Sequence, residues 1–357
     1  MDEVGSAQAA PRAPQADVEA ITAVARGDLL AMRGARIFVT GGTGYIGRWL
    51  LESLHHANRI LDLQLAITVL SRRPSDFCER YPHLADDSSL TFIKGDVREF
   101  ICNEMGFTHV IHAATDVVAS ATPLDVFDVT VLGTRRVLEF AAQQGVKDVL
   151  LLSSGAVYGP QPAQAQRASE SLPCLTDVTT NRSAYGLGKI ATEWLGNTYA
   201  QQWGFSCKSA RVFAQIGPYL ELGAHFAAGN FIRDVLRGES IIINGDGTAV
   251  RSYMHAVDLV SWLWAILVRG KNGSAYNVGA EHGVSIRALA ETVIRVAGVE
   301  SGIQVLGQPA PGAAPSRYVP DTRLAREELG LSITVPFEEA LRRTLDWYRP
   351  QIKKTQT

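Results

Sequence analysis

The sequence predicts an α/β protein: a Rossmann-like, doubly wound parallel sheet with a smaller, interleaved C-terminal substrate-binding lobe. Three observations support this fold class. Short apolar strands alternate with helical segments over the first two hundred residues. A glycine-rich turn joins the first strand to a helix, and after about residue 204 the alternation gives way to short strands and Gly/Pro-rich loops. Strand–helix alternation with apolar strands is typical of a parallel sheet that is covered on both faces.

Five strands are predicted in the first part, at residues 36–40, 65–70, 90–93, 110–112 and 149–152. Helical segments fall between most of them, for example at 134–144, where Gly145 closes the helix. The second part contains shorter strands at 209–213 and 240–243, and helices at 257–268 and 285–297. We therefore expect residues 35–204 to form a dinucleotide-binding domain, 205–350 to form mainly the substrate lobe, and 351–357 to form a tail.

Residues 1–34 are predicted to be a disordered or loosely helical extension. The first fifteen residues are rich in Ala, Pro and Gln, a composition that favours disorder. Residues 17–25 can form a short helix with Asp17 as its cap. We assign this segment no chemistry.

Composition narrows the function. The 357 residues include 34 Lys+Arg and 36 Asp+Glu, and so balanced a charge argues against binding to nucleic acid or to an anionic membrane. No apolar run reaches the roughly 20 residues of a membrane helix, and no signal pattern opens the sequence. The four cysteines are too scattered for a disulfide framework or a zinc site, so we expect no metal and a cytoplasmic setting.

The turn Thr-Gly-Gly-Thr-Gly-Tyr-Ile-Gly, residues 40–47, follows the first strand and opens a helix. In that position glycines allow a tight turn and close approach of a pyrophosphate, which the amino end of the helix faces. The spacing fits Gly41, Gly44 and Gly47 as well as Gly42, Gly44 and Gly47. A turn that merely needs glycine explains so long a match less well, so the motif predicts a dinucleotide site.

Ser71-Arg72-Arg73 follows the second strand, where NAD-binding chains usually place an acid for the adenosine ribose. No carboxylate follows until Asp76. Guanidinium groups match a 2′-phosphate in charge and geometry, which favours NADP(H). The alternative, that both arginines are solvated loop charges, leaves NAD(H) possible.

Tyr185 precedes Lys189 by four residues, which places both side chains on one face of a helix. Lowering a phenol pKa from ~10 to about 7 needs roughly 4 kcal/mol. One charge about 4 Å away supplies that much at an effective dielectric of about 20. We therefore expect the ammonium group to lower the pKa of Tyr185 and to make it an acid/base for hydride transfer.

Together with Ser-Ser-Gly-Ala-Val-Tyr-Gly at 153–159, these motifs resemble those of the extended short-chain dehydrogenases/reductases, a family of nucleotide-sugar epimerases, dehydratases and ketoreductases. The resemblance covers residues 36–348 and includes the segments 94–97 and 112–114. It implies that Ser154, Tyr185 and Lys189 are catalytic. The cofactor contacts that it implies are Gly41, Thr43, Gly44, Tyr45, Ile46, Gly47, Ser71, Arg72, Arg73, Asp96, Val97, Ala113, Ala114 and Lys189.

The second part also contains matching segments. The resemblance implies that Asn230, Arg251 and Arg317 bind a nucleotide-diphosphate sugar, although Arg317 can equally be a surface charge. It further implies a homodimer formed through helices at 134–144 and 184–201. Thr130 stands where many relatives have an asparagine, a departure that affects the expected sugar pocket.

The two residues after Ser154 discriminate between reactions. Sugar 4,6-dehydratases of the family place Asp-Glu there, and its sugar-acid decarboxylases keep the glutamate. This sequence has Gly155-Ala156, which cannot transfer protons. The expected reaction is NADPH-dependent reduction of a 4-keto-6-deoxyhexose nucleotide at C4, and the alternative is 4-epimerisation. A 4,6-dehydratase, or a non-catalytic dinucleotide-binding module, agrees less well with the residues present.

Overall fold

A computed structural model describes residues 9–115, 121–162, 164–224, 226–309, 312 and 314–355. Its strands are β1 Arg36–Thr40, β2 Ala66–Ser71, β3 Leu90–Lys94, β4 His109–His112, β5 Asp148–Ser154, β6 Ser206–Val212, β7 Gln215–Ile216, β8 Ile241–Ile243, β9 Val250–Arg251, β10 Met254–His255, β11 Ala275–Val278, β12 Val284–Ser285, β13 Ile303–Val305 and β14 Arg317–Tyr318. Its helices are α1 Gln15–Val24, α2 Arg26–Ala31, α3 Tyr45–Leu61, α4 Pro74–Arg80, α5 Pro82–Ala85, α6 Pro123–Gln144, α7 Ala184–Trp203, α8 Ala227–Arg237, α9 Ala256–Arg269, α10 Ile286–Ala297, α11 Arg323–Leu329 and α12 Phe337–Thr355.

The main sheet contains seven parallel strands among the described residues, in the order β11-β6-β5-β4-β1-β2-β3. The predicted fold class is therefore confirmed. Strand order reverses beside β1, which pairs with β2 on one side and with β4 on the other. In such sheets the crevice beyond the carboxyl ends of the strands at this reversal is the ligand site.

Helices cover both faces of the sheet because its central strands are apolar on both sides. Ile37, Phe38 and Val39 of β1 are fully buried. On one face Phe38 packs against the rings of Phe100, Phe107 and Phe140. This is the face covered by α6 and α7, and α3 and α9 contribute to the core of the other face.

The first helices correct the prediction of a loose extension. Apolar residues of α1, α2 and their flanks are buried, and α1 packs against α3 and α9. Asp28 of α2 also accepts a 2.6 Å bond from Arg269 of α9. The helix expected at 17–25 is present as α1, but composition did not reveal that Val18, Ile21 and Ala25 pack into the core. Asp17 lies inside the first turn and does not cap the helix; residues 1–8 lie outside the described part.

The division expected at residue 204 also needs correction. Both β6 and β11 belong to the main sheet, so the dinucleotide-binding half continues well beyond that position. The lobe consists of the small sheets β10-β7, β13-β8 and β12-β9-β14 with helices α8, α10 and α12. An apolar run reveals a strand but not its partner, which is why the boundary was misplaced. Within the described residues, no helix combines the length and apolarity required to span a bilayer.

Candidate functional site

The glycine turn is built as its spacing predicts. Gly41 adopts a left-handed conformation with φ of +71°, and a Cβ there would lie 2.5 Å from the carbonyl carbon of Ala113. A side chain at Gly47 would collide with the carbonyl of Gly41, so α3 can approach the turn only with glycine at this position. Helix α3 begins at Tyr45, directly after the turn, and its amino end faces the crevice.

A groove of about 180 Å³ opens beside this turn at the carboxyl edge of β1, β2 and β4. Nine of the predicted cofactor residues line it: Gly41, Thr43, Gly44, Ser71, Arg72, Asp96, Val97, Ala113 and Ala114. Thr40, Leu70, Gly95, Thr115 and Val129 complete the lining and were not predicted. A dinucleotide is the kind of ligand that such a groove accommodates at this position of the fold.

The remaining predicted cofactor residues lie outside the lining. The hydroxyl of Tyr45 is buried without a hydrogen-bond partner, and Ile46 packs on the core. Gly47 does not line the groove but allows α3 to pack closely against the glycine turn. The side chain of Arg73 is 83% exposed and pairs with Asp76 at 3.6 Å, so of the two arginines only Arg72 reaches the groove.

Asp96 faces the groove as a carboxylate. Its hydrogen bonds to Arg98, the side-chain contacts measuring 2.9 Å, are the main cause that lowers the pKa of Asp96; Arg72 lowers it further. Asp96 therefore remains an anionic hydrogen-bond acceptor at neutral pH. A residue that accepts a hydrogen bond from the exocyclic amine of a cofactor's adenine must have this form.

The floor of the groove is a buried chain of hydrogen bonds. His112 lies between Thr40, 2.7 Å from Nδ1, and Thr134, 3.0 Å from Nε2. Burial and, to a lesser extent, Lys189 lower the pKa of His112 to about 3, so its ring is neutral at physiological pH. The hydroxyl of Thr40 in turn accepts from the amide of Ala114 at 3.3 Å. The sequence motif gave His112 no such role.

The three predicted catalytic side chains converge at the end of β5. Ser154 is the last residue of that strand; its Oγ accepts from the amide of Ala156 at 3.2 Å and hydrogen-bonds the phenol of Tyr185. Tyr185 and Lys189 lie on one face of α7, with Nζ 5.7 Å from the centre of the tyrosine ring. The helical spacing therefore produces the predicted group.

The electrostatics of this group correct one expectation. Burial raises the pKa of Tyr185, and the hydrogen bond from Ser154 only partly opposes it. Lys189 is not among the groups that lower that pKa, and its ammonium group donates to the carbonyl of Leu152 at 2.7 Å. Burial also lowers the pKa of Lys189 itself to about 8.

A family model described as "NAD dependent epimerase/dehydratase family" matches residues 37–279. The chain belongs to this epimerase/dehydratase family. Membership confirms the resemblance that the motifs indicated and the class of enzyme that it implied.

Relatives of the family cover almost the whole chain. UDP-glucuronic acid decarboxylase 1 of Xenopus tropicalis is 27% identical over 89% of this chain and 73% of its own length. The structure of Thermus thermophilus UDP-glucose 4-epimerase in complex with NAD is 26% identical, covering 88% of this chain and 99% of that one, with a TM-score of 0.71. A dTDP-glucose 4,6-dehydratase of Streptomyces venezuelae shares the fold at 24% identity, 89% and 98% coverage, and a TM-score of 0.76.

The predicted substrate residues of this family member fall into two places. Arg251 on β9 and Arg317 on β14 lie on paired neighbouring strands of the lobe. Arg317 stands opposite Val250, and Arg251 stands opposite Tyr318, so the two arginine side chains project from opposite faces of this small sheet. Asn230 is on α8, where its side chain accepts from Arg233 at 3.1 Å. No hydrogen bond between described residues joins Asn230 to either arginine, so the structure does not bring the three residues together.

Sequence reasoning missed two residues that act on the catalytic group. Glu193 lies one helical turn after Lys189 and raises the pKa of that lysine, while accepting from Ser153 at 2.5 Å and from Arg211. Tyr318 places its hydroxyl 3.3 Å from Ser154 Oγ. The spacing from Lys189 to Glu193 was a usable signal, whereas nothing local in the sequence connects Tyr318 with Ser154.

Proposed function

We propose that this enzyme is an NADP(H)-dependent oxidoreductase that acts at C4 of a nucleotide-diphosphate sugar, most naturally reducing a 4-keto-6-deoxyhexose nucleotide. The observation that carries the proposal is the structure around Gly155. A Cβ at this position would lie 2.6 Å from the ring of Phe213. The aromatic ring thus occupies the space that an acidic side chain after Ser154 would need.

Loss of water across C5 and C6 requires a proton donor and acceptor beside the hydride-transfer site. Neither Gly155 nor Ala156 can serve. Glu193 is close to Lys189, but its carboxylate is held by Arg211 at 2.8 Å and by Ser153. These contacts support hydride transfer without elimination, although several relatives carry the names of dehydratases and decarboxylases.

The side chains present can perform the proton chemistry of such a reduction. Bound NADPH would supply the hydride. Tyr185 is placed to donate its phenolic proton to the alkoxide that develops at C4, and Ser154 to hydrogen-bond the same oxygen. Lys189 has its ammonium group beside Tyr185, where it can also hold a ribose hydroxyl of the nicotinamide half.

The adenosine end of the groove supports NADP(H) over NAD(H). Ser71 ends β2, and Arg72 follows it in the groove lining, at the position where a ribose-binding acid would stand. Asp96 also lines the groove, but its carboxylate is engaged by Arg98. A guanidinium group at this position suits a 2′-phosphate in charge and geometry.

Epimerisation at C4 is the second candidate, favoured by the 26% identity to a UDP-glucose 4-epimerase. An epimerase returns the hydride to the sugar, whereas a reductase consumes it. The purified enzyme should therefore oxidise added NADPH in proportion to a 4-keto-6-deoxyhexose nucleotide. Conversion of a UDP-hexose to its C4 epimer without net change in cofactor would instead establish the epimerase.

We further propose a cytoplasmic homodimer. Helices α6 and α7 pack together and expose large apolar side chains, among them Leu132 and the 65% exposed Trp194. Apolar surface of this kind favours association of two copies. The widely separated cysteines suit a reducing compartment.

A further inference from the structure

Tyr318 brings a second phenol to the catalytic serine from a distant part of the chain. It lies on β14 of the lobe, and its ring packs on Phe213 with 4.6 Å between ring centres. Its hydroxyl has two partners: Ser154 Oγ at 3.3 Å and the carbonyl of Val212 at 3.4 Å. Ser154 therefore lies between two phenols, those of Tyr185 and Tyr318.

The hydrogen-bond capacity of Ser154 limits how this chain of hydroxyls can be arranged. A serine hydroxyl has one proton to donate and two lone pairs. One lone pair accepts from the amide of Ala156. Only one proton and one lone pair remain for two phenols, so when Ser154 donates to one of them it must accept from the other.

We propose that Tyr318 is a positioning residue for the Ser154–Tyr185 pair: it donates to Ser154 when Ser154 donates to ionised Tyr185, and it turns its proton to the Val212 carbonyl when Tyr185 is protonated. The direction of the hydrogen bonds thus reverses with the charge of Tyr185. The role of Tyr185 in turnover rests on the proposed function, but the hydrogen-bond reversal does not.

The surroundings of Tyr318 favour reorientation of its proton over movement of its ring. Packing against Phe213 and the pairing of β14 with β9 fix the ring, whereas the hydroxyl proton can turn between the two acceptors. The other charged or titratable groups near its hydroxyl are Arg251 and Tyr158. Burial raises the pKa of Tyr318, so it remains a donor while Tyr185 ionises beside Lys189.

The test reads the ionisation of Tyr185 directly. The whole protein, labelled with carbon isotope at tyrosine Cζ and saturated with NADP⁺, is titrated by NMR, and the Tyr185 signal is identified by its loss in Tyr185→Phe. In Tyr318→Phe the ring remains and only the hydroxyl is lost. We expect the Tyr185 midpoint to rise by about one pH unit, because the ionised state loses one hydrogen bond, the bond that Tyr318 donates to Ser154.

Tyr276→Phe is the matched control. It also removes a buried phenolic hydroxyl, but one bonded to Lys271 and Glu328 near the amino end of β11, so the Tyr185 midpoint should stay at the wild-type value. An unchanged midpoint in Tyr318→Phe overturns the proposal, as does an equal rise in the control. If the wild-type protein turned over no nucleotide sugar, the proposed function would be refuted. The titration of Tyr185 would still decide whether Tyr318 positions the Ser154–Tyr185 pair.

With an active substrate, the same variant should move the pH dependence of kcat in step with the NMR midpoint. A raised KM with an unmoved pH profile would show that Tyr318 contacts only the sugar, and this outcome also overturns the proposal.

Discussion

Lys189 donates to the main-chain carbonyl of Leu152 at 2.7 Å, so its ammonium group is anchored to the end of β5 while the tyrosine ring lies 5.7 Å away. This anchor holds the ammonium group in place without removing its charge, and burial is what raises the pKa of Tyr185. The anchor also fixes a cation beside the nicotinamide end of the groove, although burial lowers its pKa to about 8.

The affinity for NADP(H) should fall as pH rises through about 8, because the depressed pKa means that the Lys189 cation is present below this value and lost above it. Fluorescence titrations at several pH values would measure the dissociation constant. Lys189→Gln should bind more weakly at neutral pH and lose this pH dependence. The exposed Lys147→Gln should keep the wild-type profile, and a Lys189→Gln profile identical to wild type would contradict the assignment.

Folding stability should show the opposite trend. In the unfolded chain the pKa of Lys189 is near its ordinary value of 10.5, whereas in the folded chain it is about 8. Between these two pH values the unfolded chain therefore binds this proton more fully than the folded chain does. The contribution of Lys189 to the free energy of unfolding therefore increases with pH across this window. Denaturant unfolding of wild type and Lys189→Gln would reveal the difference.

Replacing Tyr185 with Phe should reduce kcat by about 10²- to 10⁴-fold, the usual contribution of a general acid. Dinucleotide affinity should remain near that of wild type, because the phenol is not part of the groove lining. Steady-state kinetics and calorimetric binding would measure the two effects. Turnover at the wild-type rate would show that another group donates the proton.

Gly41→Ala should abolish dinucleotide binding and destabilise the fold, because its Cβ would meet Ala113 and Ala114 at 2.5 Å. Gly145→Ala is the matched control: its φ of +66° resembles the +71° of Gly41, but nothing lies within 4 Å of the added atom. The control should lose only about 1–2 kcal/mol through backbone strain. Thermal unfolding with and without NADP⁺ separates the two effects, and ligand stabilisation of Gly41→Ala would contradict the prediction.

The two arginines after β2 should differ in their effect on cofactor choice. Arg72→Ala should weaken NADP(H) by about tenfold or more while changing NAD(H) little, since a charge-assisted bond contributes roughly 1.5–3 kcal/mol. Arg73→Ala should leave both affinities nearly unchanged, because that side chain faces solvent beside Asp76. Equal loss of both dinucleotides in Arg72→Ala would exclude 2′-phosphate recognition.

Trp194→Glu should convert the proposed dimer into a monomer, because it buries a charge in the exposed apolar surface of α7. Ile60→Glu, an exposed apolar residue on α3, is the control and should leave the molecular mass unchanged. Light scattering after size-exclusion chromatography measures both. A monomeric wild-type protein would refute the proposal.

Local sequence patterns predicted the parts of the protein that depend on local physics. Each strand of the first half overlaps its predicted range because a buried parallel strand is an apolar run. The glycine turn and the helical pair Tyr185 and Lys189 were also predictable, because each depends on the spacing of residues that are close in the sequence. A short helix was expected at 17–25, but its packing into the core was missed because composition was weighed above the periodicity of Val18 and Ile21.

Features that depend on distant contacts were beyond such patterns. The contact of Tyr318 with Ser154 exists only because β14 pairs with β9 and carries the phenol back to the end of β5. The raised pKa of Tyr185 reflects burial by the whole surrounding fold, which outweighs the hydrogen bond with Ser154.

The pairing of β11 with β6 has a consequence for biosynthesis. Until Ala275–Val278 has left the ribosome, β6 is an edge strand with unpaired amide and carbonyl groups, although the other strands of the sheet are already present. A nascent polypeptide that stalls within the lobe would expose this border to other growing chains. Translation of this stretch is therefore the stage at which assistance from chaperones matters most.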